Sequence, residues 1–219
     1  MRNGIDAVVF DLGGVLIDWD PRHLYRKLFP GDEAGMERFL AEVVTPQWNQ
    51  RQDTGRPWSV AIEELVAEHP DQRELIEAFR ARWPETLRGP IQASVDILAE
   101  LRRIGLGLYA LTNWSAETFA LARPMFPFLA WFRGIVVSGE EGIGKPEPEI
   151  FRRLLDRYGL RADRTLFIDD VAVNVEAAAR LGMRALAFVD PARLRRDLAA
   201  LGLVDAAEAG PGGRGRAEA

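Results

Sequence analysis

Between residues 91 and 201 the chain alternates two apolar patterns. Residues 91–104, 116–125, 147–158, 171–181 and 191–201 carry apolar side chains at helical spacing, as where Ile150, Leu154 and Leu155 share one face. Residues 107–112, 134–138, 164–168 and 184–189 are short apolar runs of strand character. Short runs separated by amphipathic stretches are the pattern of parallel strands joined by crossover helices. The expected fold is α/β, a doubly wound parallel sheet with helices on both faces.

A further run, Ala7-Val8-Val9-Phe10, closes on Asp11 and is followed at once by Leu12-Gly13-Gly14-Val15. It reads as a buried strand that delivers an acid to a tight turn. Such sheets bind ligands at the carboxyl ends of their strands, which makes Asp11 a candidate for chemistry, although a turn-capping aspartate has the same local pattern. The segment that follows is of another kind. Residues 23–29, 33–44, 59–68 and 72–83 are amphipathic helical stretches with no convincing strand between them, and Pro84 and Gly89-Pro90 mark the exit. Inserted directly after the Asp11 strand, this segment would sit above that strand's carboxyl end, a natural position for a lid. The expected division is a core of residues 1–17 and 90–205, a helical cap of residues 18–89, and a tail of residues 206–219 whose Ala/Gly/Glu/Arg composition reads as disordered.

Composition narrows the chemistry. At 219 residues, 47% of them hydrophobic, the chain can bury a full core without staples. A net charge of −5 and the lack of a long basic run argue against nucleic acid and membrane as partners. Zero cysteines exclude thiol catalysis, thiolate metal sites and disulfides, and fit a cytoplasmic location. The N-terminus holds no apolar signal core, and no stretch approaches the roughly 18 apolar residues of a membrane span. With only His23 and His69, a histidine-rich metal cage is excluded and carboxylates are left to carry the chemistry. Oligomeric state is not legible.

Three further polar sets fall at or near expected strand ends: Thr112-Asn113, Lys145 within Gly142-Ile143-Gly144-Lys145-Pro146, and Asp169-Asp170. Each alone is an ordinary cap or a solvated lysine. Together with Asp11, at the ends of parallel strands, they converge on one crevice. Asp11, Asp169 and Asp170 bring three negative charges, Lys145 returns one, and a divalent cation balances the other two. Without it, carboxylates about 4 Å apart repel by several kcal/mol, even at an effective dielectric near 20. An all-oxygen set suits magnesium. Cation and Lys145 then admit a dianionic phosphate, to whose oxygens the Thr112 hydroxyl and backbone N–H groups can donate.

Phe10-Asp11-Leu12-Gly13-Gly14-Val15-Leu16, Leu111-Thr112-Asn113, Gly144-Lys145-Pro146 and Phe167-Ile168-Asp169-Asp170, in this order and spacing, resemble the haloacid dehalogenase-like superfamily. The resemblance covers about residues 5–203, and the helical insertion is similar to that superfamily's C1-type cap. The Asp-Leu-Gly opening resembles a bacterial phosphatase branch that includes sugar-phosphate phosphatases. The resemblance implies a Rossmann-like core and a magnesium-dependent hydrolase of small phosphorylated metabolites that works through an aspartyl-phosphate. It makes Asp11 the nucleophile, with Lys145 holding nucleophile and phosphate together and Thr112 binding the phosphoryl group with Asn113 beside it. It assigns Mg2+ to Asp11, Asp170 and the backbone carbonyl of Gly13, with Asp169 assisting directly or through water.

One position departs from the family's phosphatase pattern, which has an Asp two residues after the nucleophile as general acid and base. Here it is Gly13. Loss of such a group costs about 10²–10⁴-fold. Either the substrate has a good leaving group, such as an anomeric or acyl phosphate, or a cap group or ordered water supplies the proton. Asp18, Asp20 and His23 are nearest in sequence. The first reading predicts a preference for activated phosphates over simple alkyl esters. Two rivals stand beside the phosphatase: a 2-haloacid dehalogenase, which Asn113 suits but Asp169-Asp170 do not, and a catalytically impaired binding protein of the same fold. Substrate selection falls to the cap. Residues 48–53 precede Gly55 and Pro57 and read as a loop, in which Trp48 either stacks on a sugar ring or anchors the cap's own core. Asn49, Gln52 or Asp53 would bond substrate hydroxyls. Trp114 either lines the entrance or covers a helix start, and Arg22 and His23 face either phosphate or water.

Overall fold

The apolar runs pair as a parallel five-stranded sheet in the order β5 (Gly134–Val137), β4 (Gly107–Thr112), β1 (Ala7–Phe10), β6 (Thr165–Asp169), β7 (Arg184–Ala187). The computed structural model describes residues 4–205. Every residue of the three central strands is buried, which is why their sequences read as continuous apolar runs rather than alternations. The pleat still sorts them. Val8, Phe10, Leu108, Ala110, Leu166 and Ile168 join one core, with α6 (Gln92–Arg103), α7 (Ala116–Ala122) and α11 (Pro191–Ala200). Ala7, Val9, Tyr109, Leu111 and Phe167 join the other, against α9 (Pro148–Tyr158) and α10 (Ala172–Arg180). Phe10 stands opposite both Ala110 and Ile168, so Asp11 emerges between the ends of β4 and β6. A short α8 (Ser138–Glu141) follows β5 directly.

The insertion is helical: α1 (Arg22–Leu28), α2 (Glu33–Glu42), α3 (Pro46–Gln52), α4 (Trp58–Glu68) and α5 (Arg73–Ala81). Two expectations need correction. Residues 48–53 are not a loop but largely α3, started by Thr45, whose hydroxyl accepts from the Trp48 N–H at 3.1 Å. The insertion is also bounded by strands: β2 (Ile17–Trp19) and β3 (Leu87–Pro90) pair antiparallel, with an irregularity between Asp18 and Trp19. Ile-Asp-Trp and Leu-Arg-Gly-Pro are too short and mixed to show an alternation. Their pairing exists because the two ends of the insertion meet.

Within the cap, Tyr25, Phe29, Phe39, Trp48, Trp58 and Phe79 pack ring against ring, with centroids 4.9–6.5 Å apart. Cap and core residues belong to one continuous apolar cluster. Among the described residues no helix is long and apolar enough to cross a membrane. The expectation for residues 206–219 lies outside the described residues.

Candidate active site

Asp11 leaves β1 at the point where the chain must turn back over the sheet. The backbone N–H groups of Leu16 and Ile17 donate to the Leu12 carbonyl at 2.9 Å each, and Gly14 donates to the Ile17 carbonyl at 2.9 Å. Gly14 takes φ +74, and a Cβ there would lie 2.5 Å from Asp170 Oδ2. Glycine therefore satisfies both the turn and the close approach of Asp170. Asp11 Oδ1 accepts the Leu12 N–H at 2.7 Å and meets Lys145 Nζ at 3.0 Å.

Lys145 is buried, and its Nζ also donates to Asp169 Oδ2 at 2.6 Å. Its loop is clamped by Asn113, whose Oδ1 accepts the Lys145 N–H and whose Nδ2 donates to the Lys145 carbonyl, both at 2.8 Å. A Cβ on Gly144 would sit 2.9 Å from Asn113 Oδ1, so the clamp needs glycine there. The amide of Asn113, expected beside the phosphoryl group, thus also holds Lys145 in place. Asp169 is fully buried, with Oδ1 accepting from the Val171 N–H at 2.8 Å and from Asn174 Nδ2 at 3.0 Å. Asn174, one turn into α10, was not a candidate from sequence; the only hint is a polar residue on a helix start beside the acid pair.

Oxygens of Asp11, Asp169 and Asp170 lie within 4.8 Å of one another. Burial pushes the Asp11 carboxyl up to about 7, Lys145 opposing and the neighbouring aspartates reinforcing it. Burial and then Asp169 raise Asp170 as well. Burial lowers Lys145, but the charges of Asp11 and Asp169 outweigh it and leave the ammonium above its ordinary value. Three crowded carboxylates against one ammonium make a site short of positive charge, and an all-oxygen set with a glycine-made approach for Asp170 fits a hard divalent cation.

The remaining sequence candidates are distributed as follows. Thr112 is buried at the end of β4. Trp48 is 8% exposed, with its ring against Trp58 and Phe79, which decides between its two readings in favour of packing. Gln52 turns inward and donates to the Trp48 carbonyl at 2.7 Å. Arg22 is taken by Glu37 at 2.6 and 2.7 Å, and His23 pairs with Asp18 at 2.9 Å, so neither offers its charge to a phosphate. A cavity of about 90 Å³ separates cap from core. Gly13 and Asn113 bound it from the core, Asn49, Asp53 and Trp58 from the cap, and Trp114 also lines it. The Trp114 indole N–H has no partner among the described residues. Burial pushes the Asp53 carboxyl up to about 7, a backbone N–H of Ser115 opposing.

Residues 5–182 match the family model of the haloacid dehalogenase-like hydrolases. The chain belongs to this family. A haloacid dehalogenase-like hydrolase of this kind has relatives along almost its whole length. "Phosphatase MT3486" of Mycobacterium tuberculosis is 33% identical over 91% of this chain and 96% of its own. "Sesquiterpene phosphatase astK" of Aspergillus oryzae is 28% identical over 84% and 90%. Among solved structures, a HAD family enzyme from Bacteroides thetaiotaomicron in complex with magnesium and inorganic phosphate superposes with a TM-score of 0.64 at 23% identity, covering 85% of this chain and 95% of that one. A HAD-like hydrolase from Porphyromonas gingivalis gives 0.67 at 24%, over 88% and 97%. At these identities the structures speak to the fold of this haloacid dehalogenase-like hydrolase alone.

Proposed function

We propose that this hydrolase is a magnesium-dependent phosphatase of small phosphorylated metabolites, a sugar phosphate or other activated phosphate, acting through an aspartyl-phosphate on Asp11. The observation that carries this reading is the buried Lys145 ammonium, 3.0 Å from Asp11 and 2.6 Å from Asp169, with Asp170 in the same oxygen cluster. A site for a halocarboxylate has no use for three clustered carboxylates. A site that neutralises them with a cation and then receives a phosphate dianion does. Full-length relatives named as phosphatases support the same choice.

Asp11 Oδ1 is engaged by Leu12 and Lys145, which leaves Oδ2 to bond to phosphorus. As that bond forms, the bond from phosphorus to the leaving oxygen breaks and that oxygen takes a proton. Water then bonds to phosphorus, the bond to Asp11 breaks, and inorganic phosphate departs. Lys145 keeps nucleophile and phosphoryl group in register, and the Thr112 hydroxyl donates to a phosphoryl oxygen. Asp11, Asp170 and the Gly13 carbonyl, with Asp169 behind them, would hold Mg2+. When bound, the cation supplies the charge neutralisation that a dianion needs. The helices between β2 and β3 act as the cap, and the lack of cysteine fits a cytoplasmic enzyme.

The test is phosphate release from a panel of phosphorylated metabolites, with Mg2+ and with a chelator, for the wild type and Asp11→Asn. Release that needs Mg2+, together with phosphoenzyme labelling that is lost in Asp11→Asn, is expected. Chelator-resistant halide release from a 2-haloacid would sink the reading.

A further inference from the structure

Gly13 raises a question that the core alone does not answer. It is a glycine without a positive φ, and a Cβ added there meets nothing within 4 Å. Packing therefore does not require glycine at this position, and the room an aspartate would take belongs to the cavity under the cap. Asn113, whose amide clamps Lys145, borders the same cavity, which makes an acid that lines it the candidate for proton exchange with the leaving oxygen.

Among the described residues that line the cavity, Asp53 is the one ionisable side chain. The acids nearest to Gly13 in sequence are committed elsewhere. Asp18 pairs with His23 at 2.9 Å, and Asp20 accepts from the Arg22 N–H at 2.8 Å and from its guanidinium at 3.3 Å. None of these three lines the cavity. Asp53, by contrast, is fixed across the seam. Its carbonyl accepts from the Ser138 hydroxyl. Trp58, five residues on, is tied to the same core segment, its indole N–H donating to Ser115 Oγ at 3.0 Å and its backbone N–H to Glu117 at 3.0 Å. The end of α3 is thus docked on the core beside the cavity that Gly13 and four tryptophans, Trp19, Trp58, Trp83 and Trp114, also line.

Resting on the phosphatase reading above, we propose that Asp53 is the general acid and base that replaces the carboxylate absent at position 13. In the first step Asp11 Oδ2 bonds to phosphorus, the bond to the leaving oxygen breaks, and the Asp53 carboxyl gives its proton to that oxygen. In the second, water bonds to phosphorus, the bond to Asp11 breaks, and the proton of the water passes to the Asp53 carboxylate, restoring the starting state. Apolar burial favours the protonated form needed at the outset.

The experiment compares wild type, Asp53→Asn and Gly13→Asp/Asp53→Asn with Mg2+ present, on p-nitrophenyl phosphate and on an alkyl or sugar phosphate that the wild type turns over. Asp53→Asn is expected to lose about 10²–10⁴-fold in kcat/KM on the alkyl or sugar ester. On p-nitrophenyl phosphate, whose leaving group needs no proton, the loss should stay below about tenfold, with a burst of nitrophenolate as the phosphoenzyme accumulates. Gly13→Asp in the Asp53→Asn background should recover most of the loss on the poor leaving group. An equal loss on both substrates, or none on either, would overturn the assignment while leaving the phosphatase reading intact. A wild type that releases phosphate from no substrate and takes no label at Asp11 would overturn both.

Discussion

Replacing Lys145 by Met removes the only cation within contact of two buried carboxylates among the described residues, while keeping the length of the side chain. The ammonium lies 2.6 Å from Asp169 and 3.0 Å from Asp11. At an effective dielectric near 20, each attraction is about 6 kcal/mol gross, and the desolvation of three charges cancels much of it. The net cost is set by what is left behind: Asp169, fully buried, loses its counter-charge and faces Asp11. Orphaning a buried charge in this way costs about 3–5 kcal/mol. For a chain of this size that is roughly 6–20 °C in Tm. Chemical denaturation of metal-free Lys145→Met should show the loss, and Lys145→Met/Asp169→Asn should recover about half of it. In that double variant the Asn oxygen can still accept from Val171 and Asn174, and one unpaired charge has gone. Activity is expected to fall by about 10²–10³-fold in the single variant. If Lys145→Met lies within about 1 kcal/mol of wild type, or the double variant is no more stable than the single, the pairing described here is not what holds these residues together.

Two other outcomes follow from the same geometry. Gly14→Ala places a methyl 2.5 Å from Asp170 Oδ2 at a positive φ; it should cost about 1 kcal/mol in stability and shift the Mg2+ midpoint of thermal stabilisation more than tenfold, and an unchanged midpoint would contradict the role given to Asp170. Asp53, raised from 3.8 to about 7 by burial, favours the folded state fully below pH 4 and loses that contribution as pH rises to about 7; Asp11, raised to about 7 as well, adds its own loss to both proteins, so wild type should lose on the order of 3 kcal/mol more than Asp53→Asn across this window, and parallel stability profiles for the two would count against the burial argument.

The core of this site was legible because its chemistry sits at strand ends. A strand that is buried on both faces must be apolar throughout, so a carboxylate that closes it is conspicuous, as Asp11 and Asp169 are. The ordering of strands β4, β1 and β6 then makes residues about 100 and 160 positions apart neighbours. Side-chain roles were harder to read where a residue's work is to hold another. Asn113 sits at a strand end like the rest, but its amide grips the backbone of Lys145. Asn174 was invisible because an asparagine at a helix start has too many ordinary explanations. In the cap the difficulty was different. Trp48 and Asp53 lie five residues apart on one short helix and its end, and only the docking of that helix sends one into the cap interior and the other to the cavity. The contact that fixes this, from Ser138 to the Asp53 carbonyl, spans 85 residues.

That long-range docking gives the relocated acid a consequence that an aspartate at position 13 would not have. An acid on the core turn is in place whether the cap is open or shut, so it would serve any phosphate ester, and any water, that reached Asp11. An acid on the cap reaches the leaving oxygen only when the end of α3 is seated on Ser138, with Trp58 on Ser115, and that seating is compatible only with leaving groups that fit beneath it. Proton transfer then becomes conditional on closure, and binding energy from the leaving group is spent on assembling the catalytic set. Gly13 leaves the core turn without an unconditional proton donor, and the cap's tryptophan-lined cavity is where the condition is imposed.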